Sequence, residues 1–303
     1  MIKTNWVLAV VLTVTVTTGF ATIPALAEAL PRDDAQRACW SKHTRERTRV
    51  RLAEPTAVDF SNLRDGYSVR SPFLVDFSVR GMGVVPAGKA HPKAGHHHLL
   101  IDKRLPPSVT EKIPFDDHHR HFGKGQTGVE LALPAGRHTL RLLFADHEHR
   151  PHFVFSPEIV VLVSGPRSVA PLSIDPANFE ASCNAWYQEE LTRPRPPGKR
   201  ALITNLRDGE PVVSPFNLRF AVDGFGVAAR GHGADGSGHF MLDVLVGDKL
   251  VQAIDLANGA TQANLFVPVG NYTLRLRFMD DSRSQELLRA PDIKVSVVVQ
   301  EKL

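Results

Sequence analysis

Apolar and polar positions alternate along much of this chain. Phe73, Val75, Phe77 and Val79 recur at every second position with Asp76 and Ser78 between them, as do Leu140, Leu142 and Phe144 with Arg141, and Phe240, Leu242, Val244 and Val246 with Asp243. Residues two apart share one face of a β-strand, so each run predicts a strand with one face turned to a core. The breaks carry Asp-Gly, Ser-Pro and Pro-Ala-Gly, which is turn chemistry. Helical periodicity is weak throughout. Short, evenly spaced strands over roughly 100 residues predict an antiparallel β-sandwich of immunoglobulin-like type.

The pattern occurs twice. Asn62-Leu63-Arg64-Asp65-Gly66 returns as Asn205-Leu206-Arg207-Asp208-Gly209, and Gly81-Met82-Gly83-Val84 as Gly224-Phe225-Gly226-Val227, at one offset of 143. Further on, Pro134-Ala135-Gly136 matches Pro268-Val269-Gly270 at an offset of 134. The second copy is therefore nine residues shorter, and the loss falls where the first has Asp-Asp-His-His-Arg-His. The chain is expected to be all-β, with two tandem sandwiches. Expected boundaries are a signal peptide over 1–27, an N-terminal segment with Cys39 over 28–55, and a histidine-rich repeat over 56–165. A proline- and arginine-rich connector with Cys183 follows over 166–200, then a degenerate repeat over 201–303.

The leader changes the setting. Lys3, an apolar run from Trp6 to Phe20 and Ala25-Leu26-Ala27 read as a cleaved secretory signal, placing the mature start at Glu28 in the periplasm or outside the cell. No other apolar stretch is long enough to span a bilayer, so no stable membrane span is expected after cleavage. Lys and Arg number 36 against 32 acidic residues, too mild an excess to indicate nucleic acid, which an exported protein rarely meets. In an oxidising compartment the two cysteines, Cys39 and Cys183, are expected to pair; the alternative is a small buried thiol in each copy.

Histidine supplies the candidate chemistry. Eleven of the 14 histidines lie between His91 and His152, nine of them in three groups. On the alternation, His97 faces inward with Leu99 and Ile101, whereas His96 and His98 share the opposite face at a spacing that lets two imidazoles converge on one ion. His119 and His121 repeat the spacing in a loop, and His149 and His152 follow a strand end. The candidate metal ligands are His96, His98, His119, His121, His149 and His152, with Asp116, Asp117 and Asp146 as acceptors that orient them. His138 reads as packing, and His91, His118 and His147 as exposed.

Gly95-His-His-His-Leu-Leu-Ile-Asp102, the Asp116 to Thr127 segment, Pro134-Ala-Gly-Arg-His-Thr-Leu140 and His149-x-Pro-His152 together resemble a bacterial exported family known as domain of unknown function 4399. The resemblance covers about Ser71 to Val163, and the second copy is similar only in framework. It implies an exported β-rich domain, brings no activity with it, and implies that His96, His97, His98, His119, His121, His149 and His152 belong to the shared pattern.

Three functions fit these residues. The favoured one is a periplasmic module that binds a transition metal; all-imidazole sites suit copper(II) or zinc, and few sulfur ligands are present for copper(I). The second is an envelope scaffold or adhesion protein, meeting another envelope protein, whose histidines form a structural or pH-responsive network. The third is a metal-dependent hydrolase with Asp116 or Asp117 as base, for which no substrate pocket or nucleophile stands out. Glu28 is not histidine, so a copper site using the terminal amine is not expected.

Overall fold

The computed structural model describes residues 28–51, 56–168 and 170–299; the expected signal peptide lies outside the described residues. Among the described residues no helix is long and apolar enough to cross a membrane.

The alternating runs form strands. The first β unit comprises β1 (Ala57–Phe60), β2 (Tyr67–Ser71), β3 (Phe73–Arg80), β4 (Gly83–Val84), β5 (Ala94–Ile101), β6 (His119–His121), β7 (Gly128–Leu131), β8 (Gly136–Ala145), β9 (Pro151–Phe155) and β10 (Ile159–Pro166). The second comprises β11 (Arg200–Ile203), β12 (Glu210–Val212), β13 (Phe216–Asp223), β14 (Gly226–Val227), β15 (Ser237–Val246), β16 (Lys249–Asp255), β17 (Gln262–Leu265), β18 (Gly270–Asp280), β19 (Glu286–Arg289) and β20 (Ile293–Val297). Each unit is a sandwich of a three-stranded sheet, β1-β3-β7 or β11-β13-β17, and a seven-stranded one. The larger sheets run β2-β10-β8-β5-β4 and β12-β20-β18-β15-β14, with β6 and β9, or β16 and β19, pairing beside them. The fold is the expected all-β, immunoglobulin-like one in two units of matching strand order. Pairing is antiparallel except for β2 with β10, β4 with β5 and their counterparts.

Side-chain alternation sets the core. Phe73, Val75, Phe77 and Val79 from β3 meet Leu99 and Ile101 from β5 and Leu140, Leu142 and Phe144 from β8, all buried. Burying each such side chain is worth about 1.5–3 kcal/mol, enough to fix which face of every strand points inward.

Two stretches outside the expected sandwiches are helical, although helical periodicity is weak in the sequence. The N-terminal segment forms α1 (Asp34–Lys42) and α2 (Thr44–Arg47), and the connector contains α3 (Phe179–Leu191). The side chain of Asp33 caps α1 by accepting from Gln36 N at 3.0 Å. In α3 the apolar residues Phe179, Cys183, Trp186 and Tyr187 fall at i, i+4, i+7 and i+8, a helical stripe hidden between prolines and arginines. This stripe packs on Cys39 and Trp40 of α1, and Cys39 and Cys183 form a disulfide.

The units differ where the sequences differ in length. β15 turns into β16 through Gly247 and Asp248 alone, whereas β5 reaches β6 through the long loop 102–118. Ile113 of that loop is buried with Leu143 and Ala145 of β8, so the loop covers the outer face of the larger sheet.

Candidate metal centre

β5 carries Gly95, His96, His97 and His98 between β8 and β6. Its alternation sends His97 into the core between Phe77 and Phe144, as expected, and turns His96 and His98 outward. The close fit at its start depends on Gly95, because a Cβ there would lie 2.1 Å from Ala145 O. β6 pairs with β5 so that His121 lies directly opposite His98, which places both imidazoles on one face of the sheet. The fourth ring, that of His149, arrives from the turn between β8 and β9.

That turn is built around Asp146. Its carboxylate accepts from Glu148 N and Arg150 N, each at 2.8 Å, while His149 N donates to Asp146 O at 3.0 Å. His149 is held at a φ of 68°, a left-handed conformation that costs a residue with a Cβ about 1–3 kcal/mol and that clusters at functional sites. Its carbonyl also accepts from Ile113 N at 2.9 Å, tying the turn to the covering loop.

The four rings meet one another in every combination. Centroid separations are 5.0 Å for His96 and His98, 4.8 Å for His96 and His121, and 5.1 Å for His96 and His149. They are 4.9 Å for His98 and His121, 6.0 Å for His98 and His149, and 4.5 Å for His121 and His149. The Nε2 atoms of His96 and His98 are 3.1 Å apart, and single ring nitrogens of His96, His121 and His149 lie within 4.8 Å of one another. Four nitrogens bound tetrahedrally at about 2.0–2.1 Å from a zinc ion would be roughly 3.3 Å apart.

Burial has left this cluster short of hydrogen bonds. His96 and His98 are 0% and 1% exposed, and the Nδ1 atoms of both, with Nε2 of His121, have no partner among the described residues. Burial first, and then the neighbouring imidazoles, push His96 down to about 3 and His98 down to about 2. Burial and His149 lower His121 in the same direction. The rings of His96, His98 and His121 are therefore held neutral at physiological pH, the state in which imidazole ligates metal.

Two of the six candidate ligands stand aside from the four rings. His119 turns its Nδ1 to Asp116 Oδ1 at 2.9 Å, and His152 turns its Nε2 to Ala94 O at 3.2 Å while its ring stacks on Phe144. The acidic residues serve turns rather than ligating rings: Asp116 also accepts from His118 N and His119 N, and exposed Asp117 pairs with Arg120. His138, read as packing, bridges Asp102 and Pro134 O, and His118, read as exposed, meets Ile101 O through Nδ1. Gly123 was not singled out from the sequence. A Cβ there would lie 2.3 Å and 2.4 Å from Cε1 and Nε2 of His121, so the glycine provides the space that this imidazole occupies. Phe115, 79% exposed, stands edge-on to the same ring at 5.8 Å. Cys39, His43 and Cys183 also lie together, but the disulfide engages both sulfurs.

The second unit presents different chemistry at the same four places. Sequence offset aligns His239 with His96 and Met241 with His98. Register places Asp255 opposite Met241, as His121 is opposite His98. Arg283 matches His149 and shares its left-handed backbone, at a φ of 61°. Its guanidinium pairs with Asp255 at 3.3 Å, and Asp255 lies 3.4 Å from His239 Nε2. Where the first unit gathers imidazole nitrogens, the second holds a cation of its own.

Among solved structures the chain is similar to fibronectin(III)-like modules of Clostridium thermocellum CbhA, at 10% identity and a TM-score of 0.24, covering 80% of this chain and 93% of that one. It is also similar to chicken CNTN1 FN1-FN3 domains, at 7% identity and a TM-score of 0.22, covering 80% and 66% of the two chains. A third is dimeric latent PorU of Porphyromonas gingivalis, at 13% identity and a TM-score of 0.28, covering 83% of this chain and 21% of that one. No curated protein matches the chain. Residues 75–164, which hold all four converging histidines and the strands that position them, match a family profile described as a domain of unknown function, DUF4399.

Proposed function

We propose that the first unit is a binding module of an exported, periplasmic or secreted protein and holds one transition-metal ion through His96, His98, His121 and His149. The observation that carries this reading is the mutual approach of four imidazoles, with six centroid separations between 4.5 Å and 6.0 Å. A square-planar set would have two long diagonals, one for each opposite pair. Here His98 and His149 are 6.0 Å apart, and however the four are paired the other diagonal is no longer than a side. The near-tetrahedral spread favours zinc over copper(II), which prefers tetragonal coordination.

Two further observations support the reading. A structural histidine network would have its ring nitrogens hydrogen-bonded, yet several here are buried without partners. The corresponding place in the second unit carries the Arg283 guanidinium, so a positive charge suits this position in the fold.

The test is to purify the mature, untagged protein from the periplasm and measure bound zinc, copper, iron and nickel against protein. About one equivalent of zinc, lost in His98→Ala and His121→Ala while the far-ultraviolet circular dichroism is kept, is the expected result. Cobalt(II) loaded in its place should show the strong visible bands of a tetrahedral ion. A protein that is isolated without metal and takes up none on titration with zinc or copper(II) would overturn the assignment.

A further inference from the structure

The backbone contacts of the two halves repeat, but their charges do not. Thr48 O accepts from Asn217 N at 2.7 Å, and Thr192 O accepts from Leu74 N at 2.9 Å. The offset of 144 that relates these threonines, and Cys39 to Cys183, also relates Arg51 to Arg195. At the offset of 143, Asp76 on β3 answers to Arg219 on β13, and Arg80 to Asp223. Asp76 N donates to Asn62 Oδ1 at 2.8 Å and Arg219 N to Asn205 Oδ1 at 2.9 Å, so the two residues occupy the same backbone setting. Arg195 lies between Asp76 and Asp223, 3.3 Å from the latter, and Arg200 stands 3.4 Å from Asp223. Two arginines there face two carboxylates.

At the matching place both acids are replaced by arginines. Arg51 and Arg80 lie 3.5 Å and 3.2 Å from Asp59, so with Arg219 three arginines share one carboxylate among the described residues. Arg219 is the one left over. It is 5% exposed, its Nη1 donates to Ser61 O at 2.7 Å, and its Nε has no partner among the described residues. The other two buried arginines, Arg47 and Arg207, are each ion-paired with a glutamate. Arg64 is a further neighbour, held by Phe60 O at 3.2 Å, Leu63 O at 2.8 Å and Glu46. Burial first, then the charges of Arg64, Arg51 and Arg80, lower the Arg219 guanidinium to about 10 against the attraction of Asp59, and it stays charged at neutral pH. A buried charge without a counter-charge is strongly unfavourable.

We propose that Arg219, Arg51 and Arg80 bind a small tetrahedral oxoanion, phosphate or sulfate, at the junction of the two β units. The anion does for these guanidinium groups what Asp76 and Asp223 do for Arg195. Charge sets its valence, because three arginines against Asp59 leave an excess that a dianion neutralises. Geometry sets its shape: the guanidinium groups come from β3, β13 and the segment after α2, and a tetrahedral ion offers acceptor oxygens to each. Burial sets its size, since Arg219 is reached only by a small ligand, whereas the Arg51 side chain, 37% exposed, gives the site an edge open to solvent. The four imidazoles take no part in it.

The experiment records thermal melts and calorimetric titrations of the mature protein in chelator, with phosphate, sulfate, acetate and chloride matched in ionic strength. Phosphate and sulfate are expected to bind at about one equivalent and to raise the melting temperature by roughly 5 °C at saturation, while acetate behaves as chloride does. Arg219→Asp supplies at this place the carboxylate that Asp76 supplies at the other. It should therefore fold, melt above wild type in chloride and lose the phosphate increment. Arg51→Gln, at the open edge, should keep the fold and weaken phosphate about tenfold. Wild-type melting curves that coincide in phosphate and chloride would overturn the proposal and show that the chain's own carboxylates neutralise Arg219. A phosphate increment that survives in folded Arg219→Asp would overturn the assignment of the residues, and an equal increment with acetate would overturn the class of anion.

Discussion

His97→Phe should stabilise this protein, and the second unit shows why. His97 is 1% exposed, its ring sits 5.3 Å from Phe77 and 5.0 Å from Phe144, and neither ring nitrogen has a partner among the described residues. At the matching position Phe240 lies 5.5 Å from Phe220 and 5.1 Å from Phe278, so the substitution recreates a ring triad that the chain already packs. A buried polar group left unsatisfied costs about 1–3 kcal/mol, and phenylalanine removes that cost at neutral pH while adding a larger ring, which the matching framework accommodates around Phe240. Burial also pushes His97 down to about 3, well below its ordinary value of 6.5. For a histidine depressed in this way the unfolded chain binds the proton first, so stability is intact above about pH 6.5 and falls with acid by roughly 1.4 kcal/mol per pH unit. Between about pH 6.5 and 5 the wild type should lose about 2 kcal/mol on account of this ring alone, and the variant should be spared it. Urea unfolding in chelator, followed by the fluorescence of Trp40 and Trp186 at both pH values, measures each quantity. A variant less stable than wild type at neutral pH, or one with an unchanged acid loss, would refute the reasoning.

Gly123→Ala should displace the His121 ring without removing it, weakening zinc binding roughly 10- to 100-fold by calorimetric titration while apo stability stays within about 1 kcal/mol. Because His96 and His98 are held near 3 and 2 by burial, they are already unprotonated in the folded apo protein at neutral pH. Zinc uptake should therefore displace no proton from either, which titration in buffers of different ionisation enthalpy measures. Their contribution to apo stability is, by the same sign, present above about pH 6.5 and lost on acidification, but because no proton is displaced from either, the increment that zinc adds in thermal melts should not grow on their account between about pH 6.5 and 5. The Cys39 to Cys183 disulfide spans 144 residues, and removing it in Cys39→Ser with Cys183→Ser should cost up to about 5 kcal/mol in urea unfolding by loop-closure entropy.

Much of the architecture was legible in the order of residues, for identifiable reasons. Period-two runs bury one face, so Phe73 to Val79 and Leu140 to Phe144 declared strands, and the offsets of 143 and 134 declared two matching frameworks and the missing loop. The inward turn of His97 followed from Phe240 at the same offset. The helices were not legible because their stripe serves a small cluster outside either sandwich: Cys183, Trp186 and Tyr187 pack on Cys39 and Trp40 rather than on a sheet. In the site, alternation alone joined His96 to His98. The choice between His121 and His119 required the register that sets His121 opposite His98, and the choice of His149 over His152 required the left-handed turn built on Asp146.

The second unit carries that reasoning one step further. A pure packing role for the four histidines would leave their counterparts free to become any apolar residues, as His97 became Phe240. Instead two of the four counterparts are charged, with Asp255 held by Arg230 and Arg283 and with Arg283 keeping the backbone conformation of His149, while His239 stands at the place of His96 and Met241 at that of His98. On the face that points into the core the difference is apolar, whereas the face that gathers the rings carries one apolar residue and two charged ones in the second unit. In the second unit charge stands only on the outer face, where the Arg283 guanidinium lies against Asp255. Arg283→His with Met241→His and Asp255→His would rebuild four imidazoles around His239. If the outer face of the fold is a cation site, that triple variant should bind a second equivalent of zinc; a stoichiometry that stays at the wild-type value in a folded protein would show that the covering loop of the first unit, and not the four positions alone, makes the site.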